Sequence, residues 1–215
     1  ADAVSATNAT YTLTTGIDTP VGGAGDDSVL GTIDSVTVAT NTFSVADVIN
    51  GGAGTDTLQV TVSNITGATT ITPTQVTGIE SVRVINVDPT PDAFTVDLTA
   101  VTGVTSVEAS TSSGAVTYSN IADASVALKA IANTAAVSFN VKTTALTGTA
   151  DAVNLSLTSN NGSVTVNTNG AGFEAANISV AGTNAPTALI GAGADIKTAT
   201  ITGAGTLTID AASLT

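Results

Sequence analysis

Cysteine, histidine, methionine and tryptophan are all absent from this chain of 215 residues. Without cysteine no disulfide framework can form, so an extracellular chain of this kind needs another stabilising cross-link, and a bound metal ion is the obvious candidate. Without histidine and cysteine the commonest catalytic bases, nucleophiles and zinc ligands are also missing. We therefore expect that the protein is not an enzyme.

Carboxylates alone could still catalyse glycoside hydrolysis, which uses a pair of acidic side chains. Asp92, Asp97 and Glu108 are the nearest candidates, but each is explained as a loop or strand-edge residue, and no fixed spacing singles them out. A calcium-assisted polysaccharide lyase would need a basic residue, and Arg83 is the only arginine. Neither chemistry is favoured by the sequence.

Basic residues are scarce: four lysines and arginines stand against seventeen acidic residues, for a net charge of −13. Binding to a phosphate backbone requires clustered lysine and arginine, so we expect no nucleic-acid partner. Apolar runs are short as well, and none approaches the roughly 20 residues that span a bilayer. We expect no membrane insertion. No signal peptide is visible, so an export signal would have been removed or would lie outside this segment.

Aromatic residues are few, with two tyrosines and four phenylalanines, although hydrophobic residues reach 42%. The core must therefore consist of valine, isoleucine, leucine and alanine. Threonine is abundant, and β-branched residues fit a pleated strand surface. A core with few large aromatics should be thin, as it is where short strands stack in narrow coils, and this favours a solenoid over a thick sandwich.

The chain divides near residue 60. We predict a calcium-binding module over residues 1–60, with an insertion near 32–45, and a solenoid of short strands rich in threonine, valine and alanine over 61–215. The second part contains short alternating runs separated by turn residues, which is typical of all-β folds. The runs are Val82–Val87, Phe94–Leu98, Ala115–Tyr118, Ser125–Lys129, Ala136–Val141, Val153–Leu157, Ser163–Val166, Asn177–Val180, Thr198–Thr202 and Thr206–Asp210.

An internal repeat favours a solenoid: the segment Thr74–Val82 recurs, with substitutions, as Thr99–Val107. Hairpin signals are scarce, and only Asn161-Gly162 resembles a type I′ turn. The best helix candidate, Ile121–Ala132, lacks a clear cap. We predict an all-β fold, a parallel β-roll or β-solenoid resembling a right-handed β-helix, and a β-sandwich is the alternative.

Two glycine-rich nonapeptides carry the strongest chemical signal. Gly22–Leu30 and Gly51–Gln59 both fit the pattern G-G-x-G-x-D-x-U-x, in which U is a large apolar residue. The glycines allow tight turns that bring carbonyl oxygens together, and the aspartate adds a carboxylate oxygen. Carbonyl and carboxylate oxygens are the ligands that Ca²⁺ prefers.

The nonapeptide register extends to two further aspartates, Asp18 and Asp47, each nine residues before the aspartate of a full copy. In a β-roll, Asp18 and Asp47 would share one edge, and Asp27 and Asp56 the other. This predicts about two Ca²⁺ sites between stacked turns, and glycine-aspartate loops without an ion are the alternative. The candidate ligand residues are Asp18, Gly22, Gly23, Ala24, Gly25, Asp27, Asp47, Gly51, Gly52, Ala53, Gly54 and Asp56.

The nonapeptides resemble those of the repeats-in-toxin (RTX) proteins, and the wider arrangement resembles the RTX-type surface-layer proteins of bacteria. Shared features include a Leu-Thr-Thr-Gly-x-Asp-Thr start at Leu13–Thr19, an insertion before Gly-Gly-Ala-Gly-Thr-Asp, and a later Gly-Ile-Glu at Gly78–Glu80. The resemblance covers residues 11–85 by motif and the rest by composition. It implies secretion, calcium-dependent folding and lateral assembly. The chain departs from the family in lacking a C-terminal block of tandem nonapeptides.

These observations predict a secreted structural protein at the bacterial cell surface, which assembles with copies of itself into a lattice or filament when calcium is bound. The alternative is a calcium-stabilised adhesin or biofilm module that binds glycan, such as a cell-surface polysaccharide, or another cell. Ice binding would require threonine rows of constant period. Thr-x-Thr occurs at Thr12–Thr14 and Thr206–Thr208 without one.

Overall fold

The computed structural model describes residues 7–168, 172–182, 187–190 and 196–209. Within these ranges the chain forms short strands and two one-turn 3-10 helices, at Val38–Thr40 and Thr143–Ala145, and no described helix has the length and hydropathy to cross a membrane. The strands are β1 (Thr10–Thr12), β2 (Ser28–Asp34), β3 (Val48–Asn50), β4 (Thr57–Asn64), β5 (Thr69–Ile71), β6 (Gln75–Thr77), β7 (Ser81–Asn86), β8 (Phe94–Asp97), β9 (Ser106–Ser110), β10 (Val116–Ile121), β11 (Ala127–Ile131), β12 (Val137–Val141), β13 (Ala152–Thr158), β14 (Val164–Asn167), β15 (Ala175–Ala181), β16 (Thr187–Ile190), β17 (Thr198–Gly203) and β18 (Thr208–Ile209).

The strands form two long parallel sheets. One has nine strands in the order β1-β2-β4-β7-β9-β11-β13-β15-β17, and the other has seven in the order β5-β8-β10-β12-β14-β16-β18. A small third sheet pairs β3 with β6. From β7 onward the described strands alternate between the two long sheets, which makes the fold a parallel β-solenoid of about six turns. The predicted all-β solenoid is confirmed, and the sandwich alternative is wrong.

The core lies between the two long sheets and consists of columns of apolar side chains. Strand β4 alternates half-buried and buried positions, as a strand with one face inward should. In the nine-stranded sheet, parallel register stacks Val29, Leu58, Val82, Val107 and Leu128 in one buried column. Each coil therefore covers the apolar side chain of the coil before it.

The sequence repeat corresponds to one coil of the solenoid. Val76 and Val101 form a parallel bridge, and Ser81 lies beside Ser106 in the nine-stranded sheet. Equivalent residues of the two repeat copies are thus stacked neighbours. The coil period that the repeat predicts is the one observed here.

The hairpin predicted at Asn161-Gly162 is wrong. The flanking strands β13 and β14 belong to different sheets, and each pairs in parallel with the neighbouring coils instead. The N–H groups of Asn161 and Gly162 both donate to the carbonyl of Asn133 in the preceding coil. The segment is a corner of the solenoid, because inter-coil bonds replace the cross-strand bonds of a hairpin.

The predicted division near residue 60 falls inside β4, which pairs with β2 on one side and β7 on the other. The nine-stranded sheet thus contains strands from both predicted parts. The predicted insertion overlaps the loop after β2. There the Asp34 carboxylate accepts hydrogen bonds from the N–H groups of Val36 and Thr37 and from the Thr40 hydroxyl. This loop is held in place by its own aspartate.

Candidate metal-binding edges

Along one edge of the nine-stranded sheet, where its strands begin, an acidic residue lies directly before each of three successive strands. Asp27 precedes β2, Asp56 precedes β4 and Glu80 precedes β7. We call these three residues the acidic column. The N–H of Asp27 donates to Oδ1 of Asp56 at 2.6 Å, and the N–H of Asp56 donates to Oε2 of Glu80 at 2.8 Å. Each carboxylate therefore reaches back to the backbone of the coil before it.

The two aspartates of the acidic column are buried, with 1% of Asp27 and none of Asp56 exposed. Both oxygens of Asp27 are bound, because Oδ1 accepts from the N–H of Ala9 and Oδ2 from the N–H of Gly23, each at 2.6 Å. Asp56 differs. Its Oδ2 atom is buried and has no hydrogen-bond partner. A buried anionic oxygen without a donor is costly, so the carboxyl group requires either a proton or a cation at this position.

A glycine lies against each aspartate and leaves room for two oxygens. A Cβ on Gly22 would lie 1.7 Å from the carbonyl oxygen of Gly51 and 2.4 Å from Oδ2 of Asp27. A Cβ on Gly51 would lie 1.8 Å from the carbonyl oxygen of Gly78 and 2.7 Å from Oδ2 of Asp56. One carbonyl and one carboxylate oxygen converge at both places, and only glycine permits either arrangement.

The remaining residues of the two nonapeptide turns also stack on each other. The N–H of Ala53 donates to the carbonyl of Gly23 at 2.9 Å, and a Cβ on Gly54 would lie 2.4 Å from the carbonyl oxygen of Gly25. Gly52 and Gly54 both have positive φ. The turns predicted from the repeated pattern therefore lie one above the other, with Ala24 in the first turn at the position of Ala53 in the second.

The second predicted pair, Asp18 and Asp47, meets away from the acidic column. The N–H of Asp18 donates to Oδ1 of Asp47 at 3.1 Å, across a sequence separation of 29 residues. Asp47 also accepts from the N–H of Ser44, and Asp18 accepts from the N–H and hydroxyl of Thr14. The structure thus brings both predicted aspartate pairs together.

The electrostatics of the acidic column centre on Asp56. Burial raises the pKa of its carboxyl group, and the negative charges of Glu80, Asp27 and Asp26 raise it further, against a lowering by the hydrogen bond from the Asp27 N–H. A divalent cation beside Asp56 would stabilise its ionised form. The column therefore provides an electrostatic reason for cation binding.

The donors of this edge fit calcium by type. They are carboxylate and carbonyl oxygens, which are hard ligands suited to Ca²⁺. In the described stretches no group of three or more acidic, histidine or cysteine side chains converges on one point. A calcium ion here would therefore be held by Asp27 or Asp56 together with glycine carbonyls, and its role would be to join neighbouring turns.

Glu80 and Asp26 were not among the candidate residues. Asp26 binds the next coil, because its Oδ1 accepts from the N–H of Thr55 at 2.8 Å. A sequence signal for Glu80 does exist. It precedes Ser81-Val82 as Asp56 precedes Thr57-Leu58, so acid, hydroxyl and apolar residues recur in the same order. The different spacing of this third copy hides it from a nonapeptide pattern.

The acidic residues considered for catalysis lie apart in the fold. Asp97 belongs to the seven-stranded sheet, where it accepts hydrogen bonds from Asn120 and Thr99. Glu108 belongs to the nine-stranded sheet and forms an ion pair with Arg83 at 2.8 Å. Asp92 accepts from the N–H of Gly67 in a loop. Each carboxylate has a local structural partner.

Comparison with known protein families, with curated proteins and with solved structures finds no match for this chain.

Proposed function

We propose that this chain is a calcium-stabilised structural segment that acts outside the cell and assembles with further copies into a surface layer or matrix fibre. The observation that carries the proposal is the stacking of the two nonapeptide turns. It buries Asp27 and Asp56 beside each other and leaves an oxygen of Asp56 without a donor. Calcium bound there would join successive coils of a chain that contains no disulfide.

The cellular location follows from calcium supply. Extracellular calcium modules bind with dissociation constants of about 10⁻⁴–10⁻³ M. Millimolar external calcium fills such sites, whereas cytosolic calcium does not. The chain would therefore gain its full stability only after export, and this supports an extracellular role at the bacterial surface.

Self-assembly is supported by the surface of the molecule. Large apolar side chains are exposed on the loops of the first described coils, with Ile17 71%, Val36 55% and Val38 76% exposed. Exposed apolar side chains of this size favour contact with another chain. They suit an assembling subunit better than a freely diffusing one.

The adhesin alternative has less support. Glycan recognition would be marked by a localised aromatic or polar surface patch. All four phenylalanines and Tyr118 are at most 1% exposed, and Tyr11 is the remaining aromatic residue. The aromatic side chains are therefore part of the core, so none of the buried five can stack on a sugar.

Two measurements on the purified chain test the proposal. Thermal unfolding followed by circular dichroism in calcium, magnesium and EDTA should show stabilisation by calcium, because magnesium rarely accepts an all-protein oxygen cage. Electron microscopy with calcium should show ordered sheets or filaments. Identical unfolding curves in calcium and EDTA would contradict the calcium mechanism. Discrete monomers at every calcium concentration would contradict assembly and favour the adhesin.

A further inference from the structure

The connections from the seven-stranded sheet back to the nine-stranded sheet differ in length between coils. The first four run over residues 72–80, 98–105, 122–126 and 142–151, and the third is the shortest of these. In the first, β6 pairs with β3 of the preceding coil, and in the second Val101 forms a bridge to Val76 of β6. We call β3, β6 and Val101 the third column. Among the described residues the column ends at Val101.

The end of the third column leaves apolar side chains incompletely covered. Ile79 and Val104 are equivalent in the two repeat copies, and Ile79 is fully buried whereas Val104 is half-buried. In the same way, Val76 is 1% exposed, whereas its equivalent in the second copy, Val101, is 6% exposed. The apolar side chains of the first repeat copy are covered by the second copy, which lies one coil further along. Those of the second copy lack such cover, because the connection over residues 122–126 is too short to add a strand to the third column.

A cavity of about 450 Å³ lies where that strand would run. Its apolar lining comes from Leu98, Val101 and Val104 on one coil and from Ile121 and Val126 on the next. We call this cavity the notch. Its volume is within the range of ligand-binding pockets, and its lining contains no aromatic residue.

We propose that the notch binds an extended strand of a partner polypeptide, which continues the third column by one position. The column itself indicates the chemistry of this strand. Its members are Val48-Ile49-Asn50 and Gln75-Val76-Thr77, and in both the central side chain is buried and its neighbours are exposed. The partner segment would carry one isoleucine or valine between residues that face solvent. Strand addition to a sheet edge is a common mode of peptide recognition.

A polypeptide fits this position better than a small apolar molecule because the position continues a ladder of parallel strands. The Val76–Val101 bridge shows that the column still pairs main chain to main chain at its last coil. Asp123 also lines the notch and is exposed. Its charge disfavours acidic residues beside the central apolar one. Binding of a strand in the notch requires neither calcium nor self-assembly.

A labelled peptide tests the proposal on the intact chain. The probe is fluorescein-labelled Thr-Gln-Val-Thr-Gly-Ile, the sequence of residues 74–79. Fluorescence anisotropy should show saturable binding below about 1 mM, the range of weak specific complexes. A control peptide with aspartate in place of valine should bind at least about tenfold more weakly, because the charge would enter the apolar notch.

A matched pair of protein variants locates the site. Val104→Lys places a charge at the half-buried side of the notch and should weaken binding by about tenfold or more, whereas Thr117→Lys, on the outer face of β10, should leave it unchanged. Circular dichroism should be the same for both variants. Absence of saturable binding would overturn the proposal. Equal binding by both variants would also overturn it, because it would place the peptide at the open strand edges and not in the notch. Self-association of the chain that only Val104→Lys abolishes would make a second copy the occupant and would also overturn it.

Discussion

At the scale of single residues, the carboxylate of Asp56 is the most informative group in the molecule. It is fully buried, it has a raised pKa, and one of its oxygens lacks a hydrogen-bond donor. Such a group destabilises a metal-free chain when it is ionised, since burial disfavours charge. The same ionised carboxylate stabilises the chain when a cation is bound beside it. A single substitution should separate these two effects.

We expect Asp56→Asn to abolish calcium-dependent stabilisation at the acidic column, and to stabilise the chain in EDTA because no charge is then buried. One calcium site filled at tenfold to hundredfold above its dissociation constant contributes about 1.4–2.7 kcal/mol. Thermal unfolding in calcium and in EDTA measures both effects. Asp123→Asn, at an exposed loop position, is the control and should respond to calcium like the parent chain. Equal calcium responses of Asp56→Asn and Asp123→Asn would remove Asp56 from the site.

Asp88 shows the opposite behaviour among buried carboxylates. Burial acts to raise its pKa, but hydrogen bonds from Asp92, Thr90 and Ile65 outweigh this, and the pKa lies below its usual value. A lowered pKa contributes stability that is complete above the unfolded-state value of about 3.9. This stability is lost as the pH falls through the lower, folded-state pKa.

We therefore expect Asp88→Asn to lower the free energy of unfolding at pH 7 by about 1–3 kcal/mol, because the amide replaces a charged acceptor of buried hydrogen bonds. The difference from the parent chain should shrink below pH 4, where the parent's carboxylate also becomes protonated. Chemical denaturation at pH 7 and at pH 3 provides the measurement. A difference that is the same at both pH values would mean that the charge of Asp88 contributes nothing.

At the scale of elements, the corners at the ends of four successive strands of the nine-stranded sheet, β7, β9, β11 and β13, share a buried polar ladder. The N–H of Asn86 donates to the hydroxyl of Ser112, the N–H of Ser112 to Oδ1 of Asn133, and the N–H of Asn133 to Oδ1 of Asn160. We call these four residues the corner ladder. Ser112, Asn133 and Asn160 each accept a hydrogen bond from the buried backbone N–H of the member before them, so the ladder aligns successive coils.

We expect Asn133→Ala to destabilise the fold by about 2–4 kcal/mol. It removes the amide that donates to the carbonyl of Ala109 and to Asn160, and it leaves the Ser112 N–H without an acceptor. Asn161→Ala changes an exposed neighbouring position and should alter stability by less than about 0.5 kcal/mol. Equal denaturation midpoints for the two variants would show that the corner ladder contributes no stability.

In three coils, the residue directly before the corner-ladder residue has a strained backbone conformation. Thr111, Ala132 and Ser159 all have positive φ, and the next coil has Gly182 at the corresponding place. The left-handed conformation costs an L-residue about 1–2 kcal/mol, and glycine avoids this cost. The corner geometry therefore prevails over local preference at these positions.

We expect Ala132→Gly to stabilise the chain by up to about 1 kcal/mol, since relief of strain exceeds the added entropy of the unfolded chain. Ala124→Gly provides the comparison, because the φ of Ala124 is not positive, and there glycine should destabilise. Thermal unfolding of the two variants gives the sign directly. A lower melting temperature for Ala132→Gly would contradict the strain argument.

Most strands could be predicted from the sequence and the corners could not. Alternation of apolar and polar residues located β7, β8 and β10 to β15, because one face of each of these strands is buried. It missed β9, whose first four residues are all buried, so that no alternation marks it. The corner signal at Asn161-Gly162 suggested a hairpin, since asparagine and glycine favour tight turns wherever these occur. Only stacking against Asn133 of the preceding coil distinguishes the two cases. That contact is long-range and leaves no local pattern.

The candidate site was partly predictable for the same reason. The nonapeptide period brings Asp27 beside Asp56 when each coil repeats the same turn, and the structure shows this neighbourhood. Glu80 joins them although its spacing from Asp56 is only 24 residues, against 29 between Asp27 and Asp56. Coil length varies while strand register is kept, so a fixed-period pattern misses the third member of the acidic column.

At the scale of the whole molecule, the predicted calcium sites lie in the first described coils of a linear stack, beside β2 and β4. Each coil contacts mainly its two neighbours, as the pairing order of the nine-stranded sheet shows. In such repeat architectures stability is close to a sum of coil and nearest-neighbour terms. Stabilisation at one end should therefore decrease along the stack instead of spreading evenly.

We expect calcium to slow hydrogen exchange most in β2 and β4, less in β9 and β11, and not measurably in β15, relative to EDTA. The acidic column binds β2 and β4 directly, whereas β15 receives the effect only through the intervening strands. Hydrogen–deuterium exchange read by mass spectrometry resolves these segments, and Asp56→Asn should remove the difference at β4. Equal slowing from β2 to β15 would instead mean that the solenoid unfolds as one unit, so that calcium at its first coils stabilises every coil by the same amount.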